Sequence, residues 1–209
     1  MARRGKTMST GALVLALLIG AVLWWIDNHD KVTKELGEYT EYSGCTLASH
    51  RNNDGDSFHV NVPGGKTQEF RLYFVDAPES AYKTYGGGDN NGERLRYQAE
   101  YFGLESRDKT TGLGMMAKKW TADVLGRGAF TVHTRGERVY QGPRQYCFVK
   151  VRTDGGDRWL HELLVEQGLA RIYTQGATLP DGTKRGTQEA RLLKLESEAK
   201  KAKRGGWGM

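Results

Sequence analysis

Cysteine is nearly absent from this chain, with two residues in 209, Cys45 and Cys147. At most one bridge can form, so a scaffold built on disulfides is excluded. Acidic residues are missing altogether from positions 1–26, which hold Arg3, Arg4 and Lys6. Of 31 basic residues these three leave 28, against 25 acidic ones. Half of the net charge of +6 thus lies in the first 26 residues, and the remaining excess is that of an ordinary mixed surface, a weak nucleic-acid footprint. The Gly-rich stretch at 85–92 lacks the Gly-Lys-Ser/Thr ending of a phosphate-binding loop, which excludes that class of nucleotide site. Long apolar runs are absent but for one, Ser9–Ile26, which carries no charge over 18 residues.

That run is near the lower length limit for a membrane-spanning helix. Trp24 and Trp25 close it, as expected of an interface. Arg3, Arg4 and Lys6 precede it, while Asp27, Asp30 and only Lys31 follow it at once. The bias predicts a basic cytoplasmic N-terminus (1–8), a single-pass anchor (9–26) and a domain outside the cytoplasm, periplasmic or extracellular. The alternative is a cleaved signal peptide and a secreted protein, but no small-residue cleavage pattern follows the run. Outside the cytoplasm, Cys45 and Cys147 can pair or stay as two separate buried thiols, and the sequence leaves both open.

Residues 27–42 are polar and read as a tether; the domain spans 43–209. Phe58, Val60 and Val62 alternate with Ser57, His59 and Asn61, which predicts a half-buried strand. Pro63-Gly64-Gly65 turns the chain, and Phe70, Leu72 and Phe74 return as a second strand that points Arg71 to the other face. Strands are also expected at 129–135 and 145–152. Helical stripes are expected at Leu113, Met116, Trp120 and Val124, at Trp159, Leu160, Leu163 and Leu164, and at Leu192, Leu195, Ala199 and Ala202, all as core packing. Residues 80–112 read as an insertion bordering the site, with a helix near 93–102. Its Arg94, Arg96, Tyr97 and Tyr101 have a charge and stacking capacity suited to nucleic acid, though a solvated helix face explains them better.

The chemistry concentrates between Asp54 and Glu79. Four carboxylates (Asp54, Asp56, Asp76, Glu79) and Arg71 fall at the ends of two neighbouring strands. Converging carboxylates repel unless something positive lies between them. A hard cation with oxygen ligands suits that position, and an arginine beside it suits a phosphate. The segment reads as a metal-assisted phosphate-chemistry site.

Asp54-Gly55-Asp56-Ser57, then Phe70-Arg71-Leu72 and Val75-Asp76-Ala77-Pro78-Glu79, resemble the staphylococcal nuclease (thermonuclease) family. The resemblance resumes at Leu160-His161-Glu162-Leu163-Leu164 through Gly168-Leu169-Ala170. It ends with Leu195-Glu196 through Trp207. It implies an α+β fold, a five-stranded OB-type β-barrel with packed helices. It also implies a Ca²⁺-dependent endonuclease acting on DNA or RNA. Asp56, Asp76 and the Ala77 backbone carbonyl would hold the cation, and Asp54 would stand behind them or stabilise the turn. Oxygen ligation leaves Mg²⁺ and Mn²⁺ open. Glu79 is the candidate to orient or deprotonate water, and Arg71 to stabilise the phosphate. Arg144 is the best match to the family's second arginine, with Arg138 as the fallback because Gln141 and Pro143 interrupt the pattern. Tyr140 and Tyr173 are candidates to stack on a base or bond the phosphate, or simply to pack. No protein partner is evident. Against the nuclease stand a nuclease-like domain that only binds nucleic acid or protein, and a tethered barrel for peptide or sugar. The complete set of acids with Arg71 speaks for the enzyme.

Overall fold

A computed structural model describes residues 18–24 and 39–209, which fall into two units, 1–37 and 38–209. In the first, residues 18–24 are helical and the side chains of Leu18, Ile19, Val22, Leu23 and Trp24 are exposed. Among the described residues no helix is long and apolar enough to cross a membrane. The rest of the expected span 9–26, its flanking charges and Trp25 lie outside the described residues.

The second unit contains strands β1 (Thr40–Leu47), β2 (Ser57–Val62), β3 (Lys66–Leu72), β4 (Val75–Asp76), β5 (Phe130–Arg138), β6 (Gln145–Thr153), β7 (Gly156–Trp159) and β8 (Arg171–Ile172). Its helices are α1 (Gly92–Phe102), α2 (Arg107–Leu125), α3 (Leu160–Glu166) and α4 (Arg185–Lys201). Neighbouring strands run β3-β2-β1-β5-β6, and β3 pairs again with β6 in parallel. This closes the five-stranded α+β barrel that the sequence predicts, with β7 added beyond β6. β1 starts at Thr40, paired with Thr134, inside the stretch read as a tether. Phe58, Val60, Phe70, Leu72, Phe148 and Val149 belong to one buried core cluster. Cys45 and Cys147, on β1 and β6, are buried free thiols.

Closure alters what β3 exposes. Alternation alone turns Arg71 outward, yet Phe70, Arg71 and Leu72 are all buried. Arg71 lies between Ser57 of β2 and Tyr146 of β6, so neighbours cover it on both sides. Beyond β3 the chain bends sharply at Phe74, whose φ of 69° is left-handed. A bulky residue accepts that conformation only when its surroundings fix it. Here Phe74 N donates to Gln175 O and Tyr173 N donates to Phe74 O, both at 2.9 Å. The bend delivers Asp76 to β8, opposite Arg171.

The helical stripes are shifted from those expected. α2, capped by the Ser106 side chain accepting from Lys109 N, buries Thr110, Leu113, Gly114, Ala117, Thr121 and Leu125. Met116 is exposed, and Trp120 and Val124 are half-buried. The helix packs closely through its small residues rather than through its largest apolar ones. A Cβ on Gly114 would lie 2.4 Å from Glu79 O, and one on Gly55 would lie 2.8 Å from the Cβ atoms of Ala117 and Ala77. α4 buries Gln188, Leu192, Glu196 and Ala199, while Leu195 is half-buried and Ala202 is exposed past the helix end. The stripe at Trp159, Leu160, Leu163 and Leu164 is buried as expected.

Candidate active site

The barrel end formed by the start of β2, the end of β3 and the β4 bend gathers the charged residues. Ser57 is opposite Arg71 in the β2–β3 register. The Arg71 guanidinium therefore reaches back over Asp56, and the Phe74 bend brings Asp76 to its other side. Arg71 Nη2 donates to Asp56 Oδ2 at 2.9 Å and to Asp76 Oδ1 at 2.7 Å. One positive NH₂ thus stands between the two carboxylates that the sequence pairs.

These carboxylates are buried rather than solvent-facing, contrary to a simple strand-end reading: Asp56 is 4% exposed and Asp76 is 1% exposed. A buried charge must be bonded on every side. Asp56 Oδ1 accepts from Ser57 Oγ, and Oδ2 also accepts from Ala77 N. Asp76 Oδ1 accepts from Arg94 Nη2 as well as from Arg71, while Oδ2 accepts from Arg171 Nε at 2.8 Å and Gln98 Nε2 at 3.0 Å. Burial alone would raise the Asp76 carboxyl, but Arg94, Arg71 and Arg171 outweigh it and hold it below the usual carboxylate range. Asp54 is not a partner in this cluster. It accepts from Gly55 N and Ser80 Oγ, and burial, then the neighbouring Asp56, pushes its carboxyl up to about 6.

Glu79 sits beside the cluster, 3.2 Å from Arg94 Nη1 and 3.7 Å from Lys83 Nζ. Its backbone N donates to Gln98 Oε1, and Gln98 Nε2 bonds both Asp76 and the Ala77 carbonyl. The fully buried Gln98 therefore fixes the whole Asp76–Glu79 loop. Sequence reasoning missed Gln98 and Arg171. Arg94 belongs to the site rather than to a solvated face, whereas Arg96 and Tyr97 are exposed and Tyr101 bonds Glu196. The legible signal was spacing: Asn91 at the N-cap, then Arg94 and Gln98 within α1, repeat at three and four.

Two adjoining hollows open on this cluster and share Arg71, Arg94 and Arg144. The acidic one, about 360 Å³, adds Asp54, Asp56 and Glu79. The aromatic one, about 460 Å³, adds Tyr97, Tyr140, Tyr146, Arg171 and Tyr173. Arg144 Nη1 donates to Ser57 Oγ and its Nε lies 3.2 Å from Glu69 Oε1. Arg138 lines neither hollow. Tyr140 (φ 54°, 94% exposed) and Tyr173 are exposed rather than packed in the core, and one face of the Tyr173 ring is covered by the Arg171 guanidinium at 3.9 Å.

Among the described residues no group of three or more His, Cys, Asp or Glu side chains is arranged to hold a metal. The oxygen donors that do converge are two carboxylates, Asp56 and Asp76, with the Ala77 carbonyl bonded to the same Gln98. Cations already stand where a metal would, and a phosphate could be met by three arginines from two hollows.

A comparison with curated proteins gave no match. The family model described as Staphylococcal nuclease homologue matches residues 69–209. That span is well over half of the chain and includes Arg71, Asp76, Ala77, Glu79 and Arg144, as well as the barrel closure from β3 to β6. On this match and the closed five-stranded barrel, the chain belongs to the family of staphylococcal nuclease homologues.

Proposed function

We propose that the second unit hydrolyses phosphodiester bonds of DNA or RNA, assisted by a divalent cation, with Ca²⁺ as the first choice. The observation that carries this is the single Arg71 NH₂ group held between Asp56 and Asp76 beside Glu79, at the mouth of two hollows. The ligand atoms are all oxygen, as a hard cation requires, and a cation there would displace the guanidinium that now bridges Asp56 and Asp76. Asp56, Asp76 and the Ala77 carbonyl would hold it; bound there, it would offset phosphate charge and polarise a phosphoryl oxygen.

The protein's own groups divide the remaining work. Glu79 takes one proton from water as the water oxygen bonds to phosphorus. The bond from phosphorus to the leaving oxygen breaks, and that oxygen gains a proton from solvent. Arg71, and Arg144 across the mouth, donate to the phosphoryl oxygens, whose charge rises most in the transition state. Gln98 holds the loop so that Glu79 keeps its distance. Tyr140 and Tyr173 offer faces to unpaired bases, which favours single strands.

The test is direct. The full chain is incubated with single- and double-stranded DNA and RNA, with Ca²⁺, Mg²⁺ or Mn²⁺ and with a chelator. Cation-dependent cleavage supports the proposal, and absence of cleavage under every condition removes it. A binding module without catalysis is the second reading, favoured by the fact that all four oxygens of Asp56 and Asp76 are already bonded within the protein. Binding without cleavage would establish that reading. We also propose attachment to a membrane through residues 9–26, with the domain outside the cytoplasm. Membrane fractionation, and mass spectrometry for an N-terminus near residue 27, separate anchoring from cleavage.

A further inference from the structure

We infer that Arg94, supplied by the insertion helix α1, is a further catalytic residue. On substrate binding it passes from Glu79 to a phosphate oxygen, and so uncovers the carboxylate that accepts the proton from water. This rests on the phosphodiesterase reading above and names a residue that reading does not use.

Three arginines surround Asp76, but they are not equivalent. The side chains of Arg71 and Arg171 are 9% and 5% exposed, whereas that of Arg94 is 40% exposed. Arg94 also lines both hollows. It is the guanidinium with room to move toward a ligand. Its removal would leave Asp76 with two arginines and Gln98, so the buried carboxylate stays bonded.

Glu79 is in the opposite position. Its Oε1 faces Arg94 Nη1 at 3.2 Å, and its Oε2 faces Asn91 Nδ2 at 3.4 Å and Lys83 Nζ at 3.7 Å. A carboxylate oxygen occupied by an ion pair is poorly placed to accept a proton from water. A phosphodiester entering the shared mouth brings the negative charge that competes for Arg94. The exchange gives up the Arg94 contacts to Glu79 and Asp76 for charge-assisted bonds to the phosphate, and Arg71, Arg171 and Gln98 keep Asp76 bonded meanwhile. The base is uncovered when the substrate is seated.

The helix is built for this position. Asn91, at the N-cap of α1, and Arg94 and Gln98 within it all bond the loop from Asp76 to Lys83. Gln98 is fully buried, so α1 cannot drift from the site while Arg94 swings. The Arg94 side chain is thus a mobile group on a fixed mount.

The experiment uses the full chain, a fluorescent single-stranded DNA oligonucleotide and four proteins: wild type, Arg94→Gln, Glu79→Gln and the double variant. Binding is read by anisotropy in chelator over a salt series, and cleavage with Ca²⁺. Arg94→Gln should lower kcat by about a hundredfold, as loss of one such donor does elsewhere. It should also reduce the slope of log K against log salt by about 0.7, the share of one phosphate contact on a single strand. Glu79→Gln should bind several-fold tighter than wild type, because Arg94 is released, and the double variant should lose that gain. Arg94→Lys should keep the salt slope but not the rate. It also carries the test should Arg94→Gln not fold, which a thermal melt reports. Wild-type kcat and salt slope in Arg94→Gln, or a double variant that binds as tightly as Glu79→Gln, overturns the proposal while the nuclease stands. A wild type that neither binds nor cleaves overturns both.

Discussion

Two buried polar clusters lie in the same domain and are built to different ends. In the first, Asp56 and Asp76 have all four oxygens bonded, the donors include three arginines, and the cluster opens on two hollows. In the second, between α3 and α4, Gln188 Nε2 donates to His161 Nε2 and Glu162 Oε1 at 2.9 Å, and Arg191 Nε lies 3.1 Å from Glu162. There His161 Nδ1, Glu162 Oε2 and Gln188 Oε1 have no hydrogen-bond partner among the described residues, and all three residues are at most 1% exposed. Arginines at an open mouth suit the first to receive a charged ligand. The second is closed between two helices and offers a ligand no access, so its bonds act on stability, to which its unpaired atoms are a cost. The difference predicts that changes in the first alter rate, and changes in the second alter only stability.

Asp76→Ala should have the largest effect, and in both respects. It removes the acceptor of Arg71, Arg94 and Arg171 together, so cleavage should vanish. Leaving the buried Arg171 without its carboxylate should cost about 3–5 kcal/mol of stability, read by denaturant unfolding. A variant as stable as wild type would show that the cluster is not held by these pairs. Arg71→Lys comes next. Lysine keeps the charge but loses the fork, and kcat should fall by about a hundredfold with a smaller change in KM. Arg144→Lys should behave likewise; silence there with a crippled Arg138→Lys would transfer the second arginine's role. Gln98→Leu should be milder, because it removes no charge. Loss of its bonds to Glu79 N and Ala77 O should cost about 1–3 kcal/mol. It should also lower kcat more than KM, since Glu79 loses its fixed position. Equal kcat in Gln98→Leu and wild type would place Gln98 with the second kind of cluster.

The two clusters were unequally legible. Asp54 to Glu79 gathers its charged residues in one short segment, so Asp56, Arg71, Asp76 and Glu79 could be named from that segment and the resemblance it carries. The barrel was legible for a similar reason, as Phe58, Val60 and Val62 alternate with polar neighbours. What failed was anything set by contacts distant in sequence. Arg171 meets Asp76 across 95 residues, and only the pairing of β4 with β8 brings them together. The burial of Arg71 follows from barrel closure by β6, which local alternation does not encode. Gln98 and Arg94 sit in an insertion with solvent-like composition, where polar residues read as a surface. The stripes on α2 and α4 were displaced because Gly114 and Gln188, unremarkable by hydrophobicity, are selected by close approach and by a partner histidine.

The smallest effect on rate at neutral pH should come from His161, which pairs with no charged residue of the first cluster although its ring stacks on Phe74 of the bend at 5.7 Å. Burial, then the nearby Arg191, lowers the His161 imidazole from its ordinary 6.5 to about 3. The folded state therefore keeps it neutral where the unfolded chain is protonated. Between pH 6.5 and about 3 the unfolded state binds more protons, so stability is fully present above 6.5 and falls as pH drops through that window. Within it the fall attributable to this one group approaches about 1.4 kcal/mol per pH unit. His161→Asn cannot titrate, so its unfolding free energy should fall less steeply between pH 6 and pH 4, while kcat at pH 7 stays that of the wild type. Denaturant titrations at half-unit pH steps read this directly. Parallel pH slopes for the two proteins would mean that His161 is not kept neutral in the fold. A changed kcat would mean that the second cluster communicates with the first, and that the two are not separable parts of the molecule.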